Sequence, residues 1–462
     1  MRLDRFIGSR AFYGKLFSIM LPILVQSVIT NFVNLLDNVM VGQVGTEPMS
    51  GVAIVNQLLF VFNLCIFGGL AGAGIFTAQY YGSGDHKGVA ESFRAKLYIA
   101  LGAVLVFEGV FLFGGETLIR QFIHEGQEAL DMAATLRYAK GYLGIMLIQI
   151  PPFALQMAYT TTLRETGETV LPMKAGIAAV LVNLVLNYIL IFGKLGAPAL
   201  GVEGAAIATV IARFVECGII VIWTHRHRER NRFLAWAYSG FAIPPKLLRA
   251  IAITGLPLLI NELLWSSGQT ILNQCYSLRG LEVVSAFNIS STISNLFFCA
   301  FLAMGNAIAI IVGQQLGAGE LEKARDDDRK LIAFSVALSV IVGGLMALVS
   351  PLLPRMYNTT EGVRQLAVSL LLIGAALMPM HAFANACYFT LRSGGKTVIT
   401  FVFDSLFTWL LSIPAAFVLS RYTSVPILPM YAAVEALNIF KCILGFVLVR
   451  SGKWVVNLVS EN

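Results

Sequence analysis

Residues 21–45 read LPILVQSVITNFVNLLDNVMVGQVG, and residues 256–280 read LPLLINELLWSSGQTILNQCYSLRG. The two stretches align without a gap at an offset of 235. The register runs on from 21–94 against 256–329, with fourteen identities in 74 positions. Leu21-Pro22 meets Leu256-Pro257, Asn38 meets Asn273, and Gly45, Glu47 and Ser50 meet Gly280, Glu282 and Ser285. Gln79, Gly82, Gly84 and Arg94 meet Gln314, Gly317, Gly319 and Arg329. A second match, LRETGETV (163–170) against LRSGGKTV (391–398), follows at an offset of 228. A register held over such a length marks an internal repeat.

The composition says what the repeated unit is made for. Apolar residues make up 57% of the 462 and charged residues only 13%, with a mean hydropathy of +0.76. Soluble domains carry about 25% charged residues, so this chain cannot cover several water-soluble domains. A disordered chain and a disulfide scaffold are excluded on the same figures. The net charge of +7 rests on 33 Lys+Arg and 26 Asp+Glu, which also excludes a basic nucleic-acid-binding domain. Six cysteines lie far apart in apolar runs without a CxxC and read as buried thiols. The apolar stretch after the basic N-terminus is too long for a signal-peptide core and lacks a small-residue cleavage site, so it reads as the first span.

A bilayer core of about 30 Å needs about 20 apolar residues per helix. Twelve stretches qualify: 16–42, 51–78, 96–115, 138–160, 171–192, 203–224, 250–275, 286–312, 331–352, 366–390, 398–419 and 428–450. Their interruptions are Gly and Pro, which membrane helices tolerate, and the alternation of an outer-membrane barrel is absent. The expected fold class is therefore all-α, a polytopic membrane protein with twelve transmembrane helices. With the N-terminus in the cytoplasm, cytoplasmic segments carry 23 Lys+Arg and external segments 8, while Arg213 and Lys441 fall inside spans. The positive-inside rule then puts both termini in the cytoplasm. The longest cytoplasmic segment, THRHRERNRFLAWAYSGFAIPPKLLR (224–249), separates six spans from six. The expected organisation is an N-lobe over 1–224, a basic linker over 225–249, read as solvated, and a C-lobe over 250–462. Halves with an even number of spans insert in the same orientation. They are expected to relate by a pseudo-twofold axis along the membrane normal, with the substrate path in the cleft between them.

Ionisable residues inside spans are functional candidates, because they are costly there unless paired or hydrated. The acids are Asp37, Glu108, Glu216, Glu262, Asp404 and Glu435. Asp37 stands out: no base is near it in sequence, and its repeat counterpart is Leu272, so the fold does not demand an acid there. Asn183 and Asn187, four residues apart, share one helix face and can present two carbonyl oxygens, to which Thr209 can add a hydroxyl. A carboxylate with neutral oxygens is the ligand set that a hard cation such as sodium prefers. Arg213 and Glu216 are spaced to pair. Lys441 follows Glu435 and Asn438, Glu262 follows the kink at Pro257, and Asp404 stands alone near the start of span eleven. His381 reads as a polar contact. Phe60, Phe62, Phe153, Met157, Trp265, Phe287, Phe298 and Met378 are candidates to line a cleft for flat cations.

The chain resembles the multidrug and toxic compound extrusion (MATE) transporters from about residue 12 to 450. The resemblance rests on 21–45, with its aspartate before a VG turn, and on AQYYGSGD (78–85), echoed by GQQLGAGE (313–320). Its most specific part is NLVLNYILIFGKLGAPALGVEGAAIATVIARFVE (183–216). The resemblance implies two six-helix lobes and export of cationic amphipathic drugs in exchange for protons or sodium. It maps Asp37, Asn183, Asn187 and Thr209 onto the family's cation site, with sodium a possible ion at the first three. Glu262, Trp265 and Asp404 are expected in the substrate cleft. Some members carry an acid where this chain has Trp265, which shifts the expected coupling toward the N-terminal half. A flippase for a lipid-linked sugar or lipid is the alternative, disfavoured because the only in-span bases, Arg213 and Lys441, have acids nearby. An integral-membrane enzyme is not expected: the histidines (86, 124, 225, 227 and 381) do not cluster with acids, and there is no GxSxG or P-loop. No nucleotide motif means that an ion gradient, H+ or Na+, supplies the energy, and no cofactor is expected. The remaining expectations are small cationic substrates and the bilayer as partners, no nucleic acid, a monomer, and residence in the cell membrane.

Overall fold

The computed structural model describes residues 6–122, 132–357 and 359–460. His124 lies outside them. The described residues are helical or irregular, with no strand among them. Among the described residues, twelve helices are long and apolar enough to cross a membrane. In chain order they are α1 (Arg10–Gly42), α2 (Glu47–Gly82), α3 (His86–Phe122), α4 (Met132–Glu165), α5 (Val170–Phe192) and α6 (Val202–Arg226). The second half supplies α7 (Pro245–Ser277), α8 (Leu281–Gly317), α9 (Leu321–Val349), α10 (Glu361–Ser393), α11 (Thr397–Tyr422) and α12 (Ile427–Arg450). The all-α class and the twelve spans expected from hydropathy are those observed.

The helices overrun their apolar stretches. At 37 residues, α3 and α8 are each about 55 Å long at 1.5 Å per residue, well beyond a hydrocarbon core of about 30 Å. Repeat-equivalent glycines end the first two helices of each half. Gly45 and Gly280 have φ of 144° and 123°, and Gly84 and Gly319 have φ of 78° and 76°. Only glycine adopts such angles without strain, so the same turns recur in both copies.

Several helices carry local breaks. Pro22, Pro257 and Pro379 lie inside α1, α7 and α10, where each removes one backbone donor. A turn at Leu437 divides α12 between Ala436 and Asn438. Helix α11 is π-helical over Val402–Leu406 and Thr408–Ser412, a geometry often found at functional sites.

By packing, the chain forms two compact units. One comprises 25–77 and 86–250; the other comprises 1–24, 78–85 and 251–462. In the first, α5 and α6 pack closely through small residues: a Cβ on Gly204 would lie 2.7 Å from the backbone of Leu190. Its apolar core gathers Val55, Phe62, Ile66, Ile119, Ala158 and Ala206. In the second, Leu370, Leu371, Met346 and Met378 form one core, and Leu272, Tyr276, Met430 and Val434 another. Phe62 and Met378 are thus core residues, not cleft liners.

The segment after α6 is not simply solvated. Phe233, Leu234 and Ala237 are buried. Arg94 of α3 donates to the carbonyls of Ala242 and Trp236, and the Tyr98 hydroxyl donates to Phe241 O at 2.7 Å. The apolar residues interspersed among the bases of 224–249 give the segment a face that packs on α3.

Candidate cation-coupling site

The polar centre of the first unit is built on three helices. Helix α5 presents Asn183 and Asn187 one turn apart, both buried, and α6 presents Thr209. Asp37 comes from the last turns of α1. Asn187 Nδ2 donates to Asp37 Oδ1 at 2.7 Å and to Asn183 Oδ1 at 3.2 Å. Asn183 lies 3.2 Å from the Thr209 hydroxyl, which in turn donates to Ala205 O at 3.0 Å. With the Asn183 amide turned over, its nitrogen donates to both Asp37 oxygens at 2.9 and 3.1 Å, and its oxygen accepts from Thr209. That orientation suits an ionised Asp37, which then accepts from two amides.

Two features make the cluster unusual. Asp37 has no ion-paired base among the described residues; Arg213 and the buried Tyr142 act on it only through space. Asn187 Oδ1 is buried without any hydrogen-bond partner among the described residues. Buried polar atoms are almost always satisfied, and an orphan acceptor beside an unpaired carboxylate calls for an explanation. A cation supplies one, because it takes oxygens and neutralises the charge. The residues therefore fit a sodium ion, and Asp37 alone fits a proton. The repeat equivalent is different in kind: Leu272 lies in an apolar cluster with Cys275 and Tyr276.

Several other polar and charged groups in this unit have partners. Arg213 Nη1 donates to Glu216 Oε2 at 2.8 Å, the pairing expected from their spacing, and Gln156 Nε2 donates to Glu216 Oε1 at 3.2 Å. Arg213 also sits 5.3 Å from the centre of the Phe153 ring. Sequence reasoning missed two bases. Lys96, fully buried, donates to Thr161 and Thr162 at 3.2 and 3.1 Å and is paired with Glu165. Arg164 donates to Gln26 Oε1 at 2.7 Å. Lys96 was legible only as the edge of an apolar stretch, because nothing in the sequence says that α3 begins ten residues earlier. Arg213 and Lys441 are accordingly not the only bases within the helices.

The second unit rearranges the expected partners. Asp404 is not alone: Lys441 Nζ donates to its Oδ1 at 2.7 Å and Asn261 Nδ2 to its Oδ2 at 3.2 Å. Ser405 fixes Asn261 by donating to its Oδ1 at 2.7 Å. Glu435, the sequence-near acid of Lys441, lies instead 3.3 Å from His381 Nε2 and accepts from Asn438 at 3.2 Å. Glu262 follows Asn261 on α7 with Asp404 and Arg392 as its charged neighbours. It makes no ion pair among the described residues. Trp265 is 40% exposed, and Phe298 faces His381. The structure thus brings together the four residues of the first unit as one cluster. It groups Asp404 and Glu262 in another.

Twelve membrane helices in two repeated halves, with Asp37 held among amides in the first, mark a membrane transporter. The chain belongs to the MatE family, whose sequence profile matches residues 22–189 and 257–418, one segment in each repeat. It is 26% identical over 447 residues to a probable multidrug resistance protein NorM of Thermotoga maritima, covering 95% of this chain and 92% of that one. It is 25% identical over 425 residues to the multidrug resistance protein PmpM of Pseudomonas aeruginosa, covering 90% and 85%. The fold matches an outward-facing MATE transporter with a TM-score of 0.86 at 19% identity over 97% of each chain. A MOP-superfamily transporter from Pyrococcus furiosus matches with a TM-score of 0.84 at 19% identity, again over 97% of each. The chain is a prokaryotic-type MATE transporter, a multi-pass membrane protein and not an enzyme.

Proposed function

We propose that this chain is a secondary antiporter that exports cationic amphipathic small molecules in exchange for H+ or Na+. The observation that carries the proposal is Asp37, clasped by the amides of α5 without a base, beside the unpartnered Asn187 oxygen. Binding a proton or a sodium ion there changes the local charge from −1 to 0. Asp37, Asn183, Asn187 and Thr209 are the coupling site. An ion can drive transport only if it binds two conformations with different affinity. The two conformations are those reached by rocking 1–224 against 250–462, linked through 225–249, with both termini in the cytoplasm and the transporter working as a monomer. In the C-terminal half, Glu262 is the acid available to a cationic substrate, Trp265 offers an aromatic face, and Asp404 acts through its pairing with Lys441. That pairing counts against a flippase, whose cleft needs an uncompensated positive charge for a pyrophosphate.

The relatives named as multidrug resistance proteins support the drug class. The test is efflux of a panel of cationic dyes from proteoliposomes under an imposed proton or sodium gradient. Uphill export driven by one of the two gradients is expected. Export that ignores both would overturn the coupling.

A further inference from the structure

The last turn of α2 and its continuation, 78–85, pack with the second unit, although the rest of α2 packs with the first. The contact is reciprocal. A Cβ on Gly82 would lie 1.9 Å from Gln314 O, and a Cβ on Gly317 would lie 1.9 Å from Gln79 O. Gln79 and Gln314, and Gly82 and Gly317, are repeat equivalents at offset 235. Each glycine therefore sits on the carbonyl of the other copy's glutamine, and the local pseudo-twofold axis passes between the ends of α2 and α8. Any side chain at either glycine would force the two helix ends apart.

One segment fastens this crossing. Residues 453–460, after α12, fold across the ends of α2, α8 and α10. Gln79 is fully buried and all of its amide is engaged with that segment or its support. Its Oε1 accepts from Leu458 N at 2.7 Å, and its Nε2 donates to Val456 O at 3.3 Å and to Ser393 O at 3.0 Å. Asn457 Nδ2 donates to Gly317 O at 3.2 Å, so the same segment holds the end of α8 as well. Trp454, 1% exposed, plugs the segment onto the helices, and its carbonyl lies where a side chain on Gly394 would stand. The segment after α6 packs elsewhere, on α3 through Arg94. The crossing is thus tied by one of the two copies.

We propose that residues 453–460 form a strap that holds the end of α2 through Gln79 and must let go of it before the ends of α2 and α8 can part. The strap sets how often the cytoplasmic side opens. This rests on the alternating-access reading above. Motion of the first six spans against the last six has to break the Gln79 clasp or bend α2 between Thr77 and Ala78. Gln79 is a positioning residue: it touches neither ion nor substrate.

The test has two arms on the full chain in proteoliposomes. In the first, Gln79→Cys and Leu458→Cys are joined by oxidation or a short bis-maleimide. Dye export should stop, and reduction of the disulfide should restore it. In the second, hydrogen exchange is followed in peptides covering 78–85 and 453–460. Gln79→Ala loses three hydrogen bonds, which at the usual net worth of each raises opening by about tenfold or more. Exchange in both peptides should rise accordingly, while that of α12 stays unchanged. Gln79→Glu keeps the acceptor for Leu458 and loses both donors, so it should fall between. A crosslinked protein that exports at the uncrosslinked rate overturns the strap, as does unchanged exchange in Gln79→Ala. Failure of the uncrosslinked protein to export under any gradient would instead remove the transport reading, and the exchange arm would still judge the clasp.

Discussion

Replacing Asn187 by leucine separates the stability of the coupling cluster from its function. The substitution removes the 2.7 Å bond to Asp37, which as a bond to a charged group contributes about 1.5–3 kcal/mol. It also removes the buried Oδ1 that has no partner, an atom whose desolvation costs about 1–3 kcal/mol. The two changes oppose each other. Leucine fills a similar volume, so the thermal stability of the purified protein should change by no more than about 2 kcal/mol. Ion binding has no such compensation. If sodium couples transport, Oδ1 is a ligand, and its loss should raise the half-saturating sodium concentration about 5- to 150-fold, at 1.4 kcal/mol per tenfold. If the proton couples transport, the effect has the opposite sense: Asp37 loses a donor that favoured its charged form. Proton uptake then becomes easier, and half-maximal efflux moves to higher pH. The assay is dye efflux from proteoliposomes across a series of sodium concentrations and pH values, with a melting curve of the same preparation. A large loss of stability with unchanged sodium and pH dependence would refute the reasoning and leave Asn187 as interhelical glue.

Asp37→Asn mimics the neutral form of the site and should abolish gradient-driven efflux while dye binding and folding persist; uphill efflux at the wild-type rate would remove Asp37 from the mechanism. Lys441→Met strips the base from Asp404 and should destabilise the protein by about 3 kcal/mol, the low end for a buried pair because both side chains keep slight exposure. Lys441→Met with Asp404→Asn should recover much of that loss in a melting experiment, and failure to recover would mean that the two do not act as a pair. Glu262→Gln should lower the export of monovalent cationic dyes more than that of neutral ones. Equal loss in both classes would assign Glu262 to structure or to coupling.

Much of the cluster around Asp37 was legible in the sequence. Asn183 and Asn187 are four apart in one helix, so their common face follows from the helical period alone. Asp37 stood out because its repeat counterpart is Leu272, and the structure gives that leucine an apolar cluster. The Arg213–Glu216 pair formed as its spacing of three residues allows. Where the partner lay on another helix, spacing misled. Lys441 has Glu435 six residues away in the chain, yet it pairs with Asp404, 37 residues away. Six residues put two side chains about 120° apart around a helix, and Asp404, in the π-helical stretch of α11, lies within reach of Lys441 instead. Glu435 is left to His381 across from α10.

The sequence by itself determined the number of spans, the two copies and the turns that recur between them. These depend on quantities that accumulate along the chain: apolar length against bilayer thickness, a fixed register, and glycines where φ must be positive. It also showed that Asp37 has no acidic counterpart in the other copy, where Leu272 stands. Only the tertiary structure decided which charges meet. It buried Lys96 against Glu165, left Asn187 Oδ1 without a partner, and placed Gln79 under residues more than 370 positions away in the chain. The physical reason is that a membrane span has one periodic apolar signal but several polar groups. Each group satisfies itself with whatever neighbouring helix packing brings within hydrogen-bond reach, and sequence distance carries no information about that.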